Sequence, residues 1–291
     1  MSADDTGARL FVGLQYLLPQ HLLSGAVHSL ARLRVKWVKN ALIDNFLVHY
    51  RPDMSEAEEP DPHEYASFNA FFTRALRPGA RAVDSSPAAL ISPVDGTVSQ
   101  IGRADGSSLV QAKGLGYTLE ALLDEAAPAW APVFRGGEFA TLYLAPHNYH
   151  RIHMPLAGTL QAAWYVPGQL FSVNATTAAQ VPGLFARNER VVCVFAAGTL
   201  SFALVLVGAL FVGSMSTVWH GDVTPRSPRV RAGLPLDFVR AGPRLEKGAE
   251  MGRFNMGSTV ILLLPPGRSE WLAGLAAGSA IRVGQALARL T

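Results

Sequence analysis

A glycine stands directly before a hydroxyl residue in the order Gly257-Ser258-Thr259. Because glycine has no Cβ, the backbone at Gly257 can adopt turns in which the Ser258 hydroxyl reaches the preceding carbonyl. The apolar run 260–264 that follows is typical of a buried strand. Taken alone, the pattern favours an ordinary turn before a strand, since short motifs often match by chance.

Three histidines, His147, His150 and His153, fall within residues 145–155. A cluster of this kind beside Tyr149 is typical of groups that transfer protons. Zinc is the alternative, because histidine triples also bind that metal. It is disfavoured since paired zinc histidines on a helix usually stand four residues apart, and no nearby Cys or Glu completes a ligand set.

Asp95 lies in an Asp-Gly pair directly before a predicted strand, within SPVDGTV (92–98). Asp-Gly is a common turn signal, but a carboxylate fixed at a strand end can also orient a histidine. With a histidine and Ser258, Asp95 supplies the elements of a nucleophilic triad. The Gly-x-Ser-x-Gly elbow of many serine hydrolases is absent. The residues alone therefore predict an activated serine and leave its target open.

The composition is apolar for a chain of 291 residues: 49% are hydrophobic and 16% are charged, where about a quarter charged is usual. We therefore expect either a large core or a surface that meets lipid. The net charge of +3 suits an anionic membrane surface, and no Lys/Arg block marks a nucleic-acid interface. The single Cys193 forbids an internal disulfide and is typical of a reducing compartment.

Residues 8–50 predict helices, with a break at Pro19. Basic residues beside Trp and Leu in 30–50 are typical of a helix that lies in a membrane interface, while the same spacing also fits helices that pack on a core. Residues 51–64 read as a linker. Asp4 and Asp5 stand where a secretory signal would be basic, so no such signal is expected. The uncharged run 200–215 is too short for a confident membrane span.

Beyond the linker, short apolar runs separated by Gly and Pro predict a mostly β body. Short helices are expected at 67–76 and 119–125, with Ser67 and Thr118 as N-caps. We therefore expect an α+β fold: a helical membrane-associating region and linker (1–64), then a mostly antiparallel β catalytic domain (65–291). The predicted strands are 96–101, 108–112, 139–144, 158–166, 190–196, 200–212 as two strands, and 260–264.

Nine stretches carry a family resemblance: LQYLLPQ (14–20), SFNAFFTRALRPGAR (67–81), PVDGTVSQ (93–100), QAKG (111–114), YHRIHMP (149–155), YVPGQLFSVN (165–174), LFARNERVVCVF (184–195), VGSMSTVW (212–219) and KGAEMGRFNMGSTV (247–260). Through them the sequence resembles the phosphatidylserine decarboxylases, pyruvoyl-dependent enzymes of phospholipid synthesis, and above all their bacterial proenzymes. Met256 stands where the family usually has Leu, and Asn148 where relatives often have Asp; neither change removes a reacting group. Residues 226–246 match poorly.

The resemblance implies that Ser258 is the precursor of a covalent pyruvoyl cofactor. The Ser258 hydroxyl would attack the Gly257 carbonyl, with His153 as general base oriented by Asp95. Cleavage would leave a long chain, 1–257, and a short chain, 258–291. The two chains would stay associated because the strand after Ser258 is buried.

The resemblance also implies the reaction and its place. The pyruvoyl group would form a Schiff base with phosphatidylserine and accept the electrons left by CO2. His150 would then protonate the carbanion, and phosphatidylethanolamine would be released. Residues 8–50 would hold the protein peripherally on the cytoplasmic side of the cell membrane, against an anionic lipid surface. Residues 171–174 would line the headgroup or acyl region, or pack in the core, and the apolar composition suggests a homodimer.

Two rival functions use other features of the same chain. A membrane-associated serine hydrolase would use Asp95, His153 and Ser258 on an external substrate. It would keep the chain intact and react with serine-directed probes. A catalytically silent membrane-binding protein is disfavoured because all three residues are present.

Overall fold

The computed structural model describes residues 3–211, 214–225, 229–234 and 242–291. Helices form the first fifty residues and strands dominate the rest, which confirms the α+β class. The helices are α1 (Ala3–Leu17), α2 (Gln20–Ala31), α3 (Lys36–Tyr50), α4 (Phe68–Phe72), α5 (Leu119–Leu123), α6 (Ala127–Phe134), α7 (Ala175–Ala178) and α8 (Leu184–Arg187), with a 3-10 turn at Asp124–Ala126. The strands are β1 (Ala89–Ile91), β2 (Gly96–Arg103), β3 (Ser108–Ala112), β4 (Leu115–Thr118), β5 (Glu138–Tyr143), β6 (Arg151–His153), β7 (Gly158–Val166), β8 (Arg190–Ala197), β9 (Leu200–Val207), β10 (Met215–Thr217), β11 (Gly221–Asp222), β12 (Ala232–Gly233), β13 (Arg244–Leu245), β14 (Glu250–Phe254), β15 (Thr259–Leu263), β16 (Ser269–Trp271), β17 (Ala280–Ile281) and β18 (Ala286–Leu290).

The main sheet has the strand order β12-β7-β8-β9-β15-β5-β2-β17, with β13 also on β7. Its pairs are antiparallel, and β15 lies between β9 and β5 in continuous register. Alternate residues of β15 point into two separate apolar clusters, Val260 and Leu262 into one and Ile261 and Leu263 into the other. A strand covered on both faces is apolar throughout, which explains the unbroken run after Ser258.

A smaller antiparallel sheet has the order β11-β10-β14-β6. Its strands β14 and β6 carry the residues just before Gly257 and just after His150, so it brings the two chemical motifs together. The C-terminal strand β18 pairs with β1 and β16 in a third sheet. The C-terminal segment is therefore packed on the β body.

The N-terminal helices use one face for packing and leave another in solvent. Ile43 and Phe46 of α3 pack in an aromatic cluster with α4, whereas Trp37 on the same helix is 77% exposed. Pro19 separates α1 from α2, as predicted. The stretch 30–50 is not continuous, because α2 ends at Ala31 and α3 begins at Lys36. Among the described helices, none combines the length and apolar character needed to cross a bilayer.

Several predicted boundaries are confirmed and others are wrong. Ser67 and Thr118 cap their helices, accepting from the backbone N–H of the third residue on, but α4 ends at Phe72. The prediction of two strands in 200–212 is wrong for the described part of that stretch: β9 ends at Val207 and residues 208–211 form no strand. Position 212, the start of VGSMSTVW, and most of the poorly matching stretch 226–246 lie outside the described residues.

Candidate active site

Ser258 lies directly before β15 and is 1% exposed. Its backbone carbonyl accepts a hydrogen bond from Leu144 N at 2.8 Å, which fixes the start of the strand. Its Oγ is buried and has no hydrogen-bond partner. Because leaving a buried hydroxyl unpaired costs free energy, a structural role explains this group poorly. The arrangement instead leaves a nucleophile free beside the preceding peptide.

Gly257 is required by both backbone conformation and space. Its φ is +40°, in the left-handed region that side chains disfavour. A Cβ at this position would lie 3.1 Å from Cε1 of His150, closer than ordinary van der Waals contact. The His150 imidazole therefore lies directly against the residue that precedes Ser258.

His150 is fully buried, and its hydrogen bonds define its tautomer. Nε2 lies 3.2 Å from the carbonyl oxygen of Pro146. Since a carbonyl only accepts, Nε2 carries the proton and Nδ1 is an unprotonated acceptor. This Nδ1 has no partner. The ring stacks on Phe72 with centroids 4.2 Å apart, and burial lowers the pKa of His150 to about 3. At neutral pH the imidazole is thus a neutral base facing Gly257.

The turn before His150 is closed by Asn148. The Asn148 side-chain oxygen accepts from Ala145 N at 2.7 Å, and Asn148 N donates to the Ala145 carbonyl at 2.9 Å. An amide oxygen accepts this hydrogen bond as a carboxylate would. Asn148, which stands where relatives often have Asp, therefore preserves the turn that positions His150.

His153 on β6 is held by two hydrogen bonds. Its Nδ1 donates to the Gly248 carbonyl at 2.8 Å, and its Nε2 lies 3.0 Å from the Tyr149 hydroxyl. Burial raises the pKa of Tyr149 to about 12, so the phenol keeps its proton and donates it to Nε2. Burial also lowers the pKa of His153, against the opposing effect of the Gly248 hydrogen bond. Gly248 and Tyr149 therefore set the tautomer of His153.

Asp95 is bound by Arg81 and not by a histidine. Arg81 Nε donates to Asp95 Oδ1 at 3.0 Å, and Arg81 also binds Oδ2. The backbone N–H of Val283 donates to Oδ1 at 2.8 Å. Among the hydrogen bonds of the described residues none joins Asp95 to His153, because the guanidinium fork takes both carboxylate oxygens. The Asp95 charge still raises the pKa of His153 through space, so the two share one electrostatic environment.

A half-open pocket of ≈ 380 Å³ borders Gly257 and Ser258. Its walls are largely apolar, with six aromatic residues, and within the described ranges no Lys or Arg lines it. Of the predicted stretch 171–174, Ser172, Val173 and Asn174 line the pocket, whereas Phe171 is fully buried. The reacting serine therefore faces an apolar chamber with a few polar groups.

The third histidine of the cluster, His147, contributes its backbone carbonyl, which accepts from Arg74 at 3.4 Å. In the parts of the chain that the structure describes, no three His, Cys, Asp or Glu side chains are grouped so that they could hold a metal ion. Sequence reasoning did not single out Arg81 or Phe72. Both lie in SFNAFFTRALRPGAR, a long motif that supports the family resemblance but predicts no role for its individual residues.

Comparisons with known proteins cover most of the chain. The family model described as phosphatidylserine decarboxylase matches residues 68–289, and the model described as PSD matches residues 10–51. The phosphatidylserine decarboxylase proenzyme of Pseudomonas fluorescens strain Pf-5 is 53% identical over 96% of this chain and 96% of its own length. The proenzymes of Ectopseudomonas mendocina (52% identical; 96% and 97%) and Methylococcus capsulatus (50% identical; 96% and 96%) are similar over as much.

These matches make the protein a carboxy-lyase. More narrowly, the chain belongs to the phosphatidylserine decarboxylase family.

Proposed function

We propose that this chain is a self-processing, pyruvoyl-dependent decarboxylase that converts phosphatidylserine to phosphatidylethanolamine and CO2. The observation that carries the proposal is the buried, unpartnered hydroxyl of Ser258, directly after a glycine that lies against a neutral imidazole. Family membership supports the reaction, and the relatives' description as proenzymes supports processing.

In the processing step the Ser258 Oγ attacks the carbonyl carbon of Gly257. The Gly257–Ser258 C–N bond breaks and an ester bond forms, while the hydroxyl proton passes through a histidine to the departing nitrogen. Loss of the Ser258 Cα proton then expels the Gly257 carboxylate and leaves a dehydroalanine. Addition of water with release of ammonia gives a pyruvoyl group at the start of the short chain. Hydrogen-bonding partners for the hydroxyl would compete with the first step, and none is present.

The surroundings of Ser258 fit this cofactor. The group would be held by the backbone that enters β15 and would face the pocket that Ser258 borders. The pyruvoyl ketone supplies an electron sink for the electron pair left when CO2 departs. The apolar walls lower the polarity around the reacting carbon, and Ser172 and Asn174 offer polar contacts for a headgroup.

The two buried histidines have different positions, and we propose different roles. His153, in the field of Asp95, takes the proton from Ser258 during processing; its Nε2 is free to do so once the Tyr149 hydroxyl turns away, while Gly248 holds its tautomer. His150 lies against the reacting residue with an unprotonated Nδ1. After CO2 has left, this side chain relays a proton from water to Cα.

The cleaved chains stay together because β15 belongs to the short chain and both its neighbours belong to the long chain. Five consecutive residues of β15 pair with β5 on one side and with β9 on the other. All five are buried. The hydrogen bond from Val283 to Asp95 adds a second junction between the chains.

We further propose that the N-terminal helices hold the protein on the cytoplasmic face of the membrane. Their solvent faces carry large apolar side chains, with Leu17 82%, Leu22 73% and Trp37 77% exposed. Apolar side chains of this kind gain free energy at a membrane interface. The pocket is near these helices, since Phe46 and Tyr50 of α3 line it.

The serine hydrolase is less well supported. It requires a histidine that Asp95 orients, whereas Arg81 binds both carboxylate oxygens of Asp95 and no histidine among the described residues is hydrogen-bonded to them. The distinguishing experiment treats the denatured short chain with phenylhydrazine, which adds to ketones. A mass increase confined to the short chain supports the pyruvoyl group. An intact chain that a fluorophosphonate labels at Ser258 supports the hydrolase.

A further inference from the structure

The segment just before the reacting peptide is fixed by Asn255. This residue follows β14, lies two positions before Gly257 and is 4% exposed. Its Nδ2 donates to the hydroxyls of Ser214 and Ser216 at 2.9 and 2.7 Å. Its Oδ1 accepts from Asn69 Nδ2 at 3.3 Å, and its backbone N–H donates to the Ser214 carbonyl at 3.0 Å. Every donor of the amide is therefore used, and its oxygen is bonded as well.

The same short helix that bonds Asn255 also holds the histidine. Asn69 and Phe72 stand three residues apart on α4 and so share one face. Asn69 contacts Asn255, and Phe72 stacks on His150 at 4.2 Å. A backbone hydrogen bond of 3.0 Å from Phe254 N to the His150 carbonyl joins the two ends of this arrangement.

The chain around Gly257 is thus anchored on both sides. Before it, Asn255 is bonded to α4 and to the start of β10; after it, the Ser258 carbonyl is bonded to Leu144 N. Only Met256 and Gly257 lie between the anchors. Two anchors this close together restrict the conformations open to the peptide, and reactions inside one chain depend strongly on such restriction.

We propose that Asn255, assisted by Asn69, is a positioning residue for self-processing. It holds the Gly257 carbonyl carbon within reach of Ser258 Oγ and against His150, and it takes no part in proton transfer itself. This inference rests on the proposed self-processing at Gly257–Ser258. It concerns the rate of that event, whereas decarboxylation by chains already processed depends on other groups.

The test follows cleavage of freshly translated protein by denaturing mass spectrometry over time. Asn255→Leu keeps the approximate size and removes the side-chain hydrogen bonds, so we expect processing to slow about tenfold or more, the factor for 1.4 kcal/mol in a barrier. Asn255→Asp should recover part of the rate, because the Ser214 hydroxyl can turn to donate and Asn69 still donates, whereas the Ser216 hydroxyl remains on Asp222. Asn69→Leu removes one hydrogen bond and should slow processing about threefold.

Gln111→Leu is the matched control. Gln111 is a fully buried amide with three hydrogen bonds of 2.7 to 2.8 Å to backbone groups of Ala178, Val181 and Leu184. Gln111→Leu should lower the unfolding temperature about as much as Asn255→Leu does, with both temperatures measured in the uncleavable Ser258→Ala background. In the cleavable protein, Gln111→Leu should leave the processing rate unchanged.

Three outcomes decide the matter. Asn255→Leu processing as fast as Gln111→Leu would overturn the inference while leaving self-processing intact. An unprocessed unsubstituted chain would overturn the proposed function instead. If Asn255→Leu fails to fold, Asn69→Leu decides: slowed cleavage with rescue by Asn69→Gln supports the positioning role, and an unchanged rate contradicts it.

Discussion

The N-terminal helices and the β body are both apolar, but they place their apolar residues differently. In β15 all five residues are buried between two clusters. On α1, α2 and α3 large side chains such as Leu17, Leu22 and Trp37 stay mostly in solvent. Exposed apolar patches mark surfaces that another molecule or a membrane covers. From this difference we propose that the β body contains the chemistry and that the helices meet the lipid surface that carries the substrate.

The two regions are joined by buried amides. Gln15 Oε1 accepts from Ser172 N at 2.8 Å, and Gln20 Oε1 accepts from Leu170 N at 2.7 Å. Both glutamines lie on the helices, and Ser172 lines the pocket next to Ser258. Hydrogen bonds therefore join the helices α1 and α2 directly to the loop that forms part of the pocket wall.

The largest expected effect of a single substitution lies in the body. His150→Gln should lower CO2 release about a hundredfold or more, the usual contribution of a proton-transfer group. The loss of activity should be the same for phosphatidylserine in bilayers and in detergent, because His150 acts on the proton transfer at Cα and not on how the protein binds the lipid surface. Manometry on processed protein measures it. His49→Gln, an exposed histidine on α3, is the control and should change nothing.

Replacing Leu17, Leu22 and Trp37 by Ser should affect only the membrane-facing region. Each large apolar side chain withdrawn from water contributes about 1.5 kcal/mol or more, so partition onto vesicles should fall at least about tenfold per residue. Co-sedimentation with phosphatidylglycerol-containing vesicles measures this. Val110→Ser, an equally apolar change on β3 at 50% exposure, should leave partition unchanged. If Val110→Ser lowered vesicle partition as much as the substitutions on the helices, the proposed difference between the two regions would be contradicted.

Acid should destabilise the body through His150. In the folded chain this group stays neutral down to about pH 3, whereas its ordinary pKa is 6.5. Between those values the unfolded chain binds more protons, so the stabilisation is present above pH 6.5 and is lost as the pH falls. In the Ser258→Ala background, urea unfolding at pH 6.5 and 5 should show a loss that exceeds the loss in His150→Gln by on the order of 2 kcal/mol. The remaining loss comes from other buried histidines such as His153. An identical pH slope in both proteins would argue against a buried neutral imidazole.

The smallest effect should come from the junction. Gln15→Met and Gln20→Met remove one hydrogen bond each to the pocket-lining loop, worth about 1 kcal/mol apiece. We expect KM for phosphatidylserine to rise about fivefold per substitution at unchanged kcat. Steady-state kinetics on processed protein separates the two constants, and a fall in kcat alone would contradict the transmission through the junction.

The sequence predicts features that depend on the pattern of one continuous segment. It does not predict contacts between residues that are far apart in the chain. The β15 run was visible because a strand buried on both faces is apolar throughout, and the Ser67 and Thr118 caps were visible because capping is local. The bond of Arg81 to Asp95 spans separate segments, and no spacing rule links those positions. For the same reason the histidine cluster predicted proton transfer but not that His150 lies against Gly257.

The most direct test of the account is the denatured mass of the expressed protein. We predict two chains that divide between Gly257 and Ser258, with a blocked, ketone-bearing start on the short chain, and a single intact chain of about 31.1 kDa for Ser258→Ala. An unsubstituted protein that stays intact under the same conditions and releases no CO2 from phosphatidylserine would contradict the account.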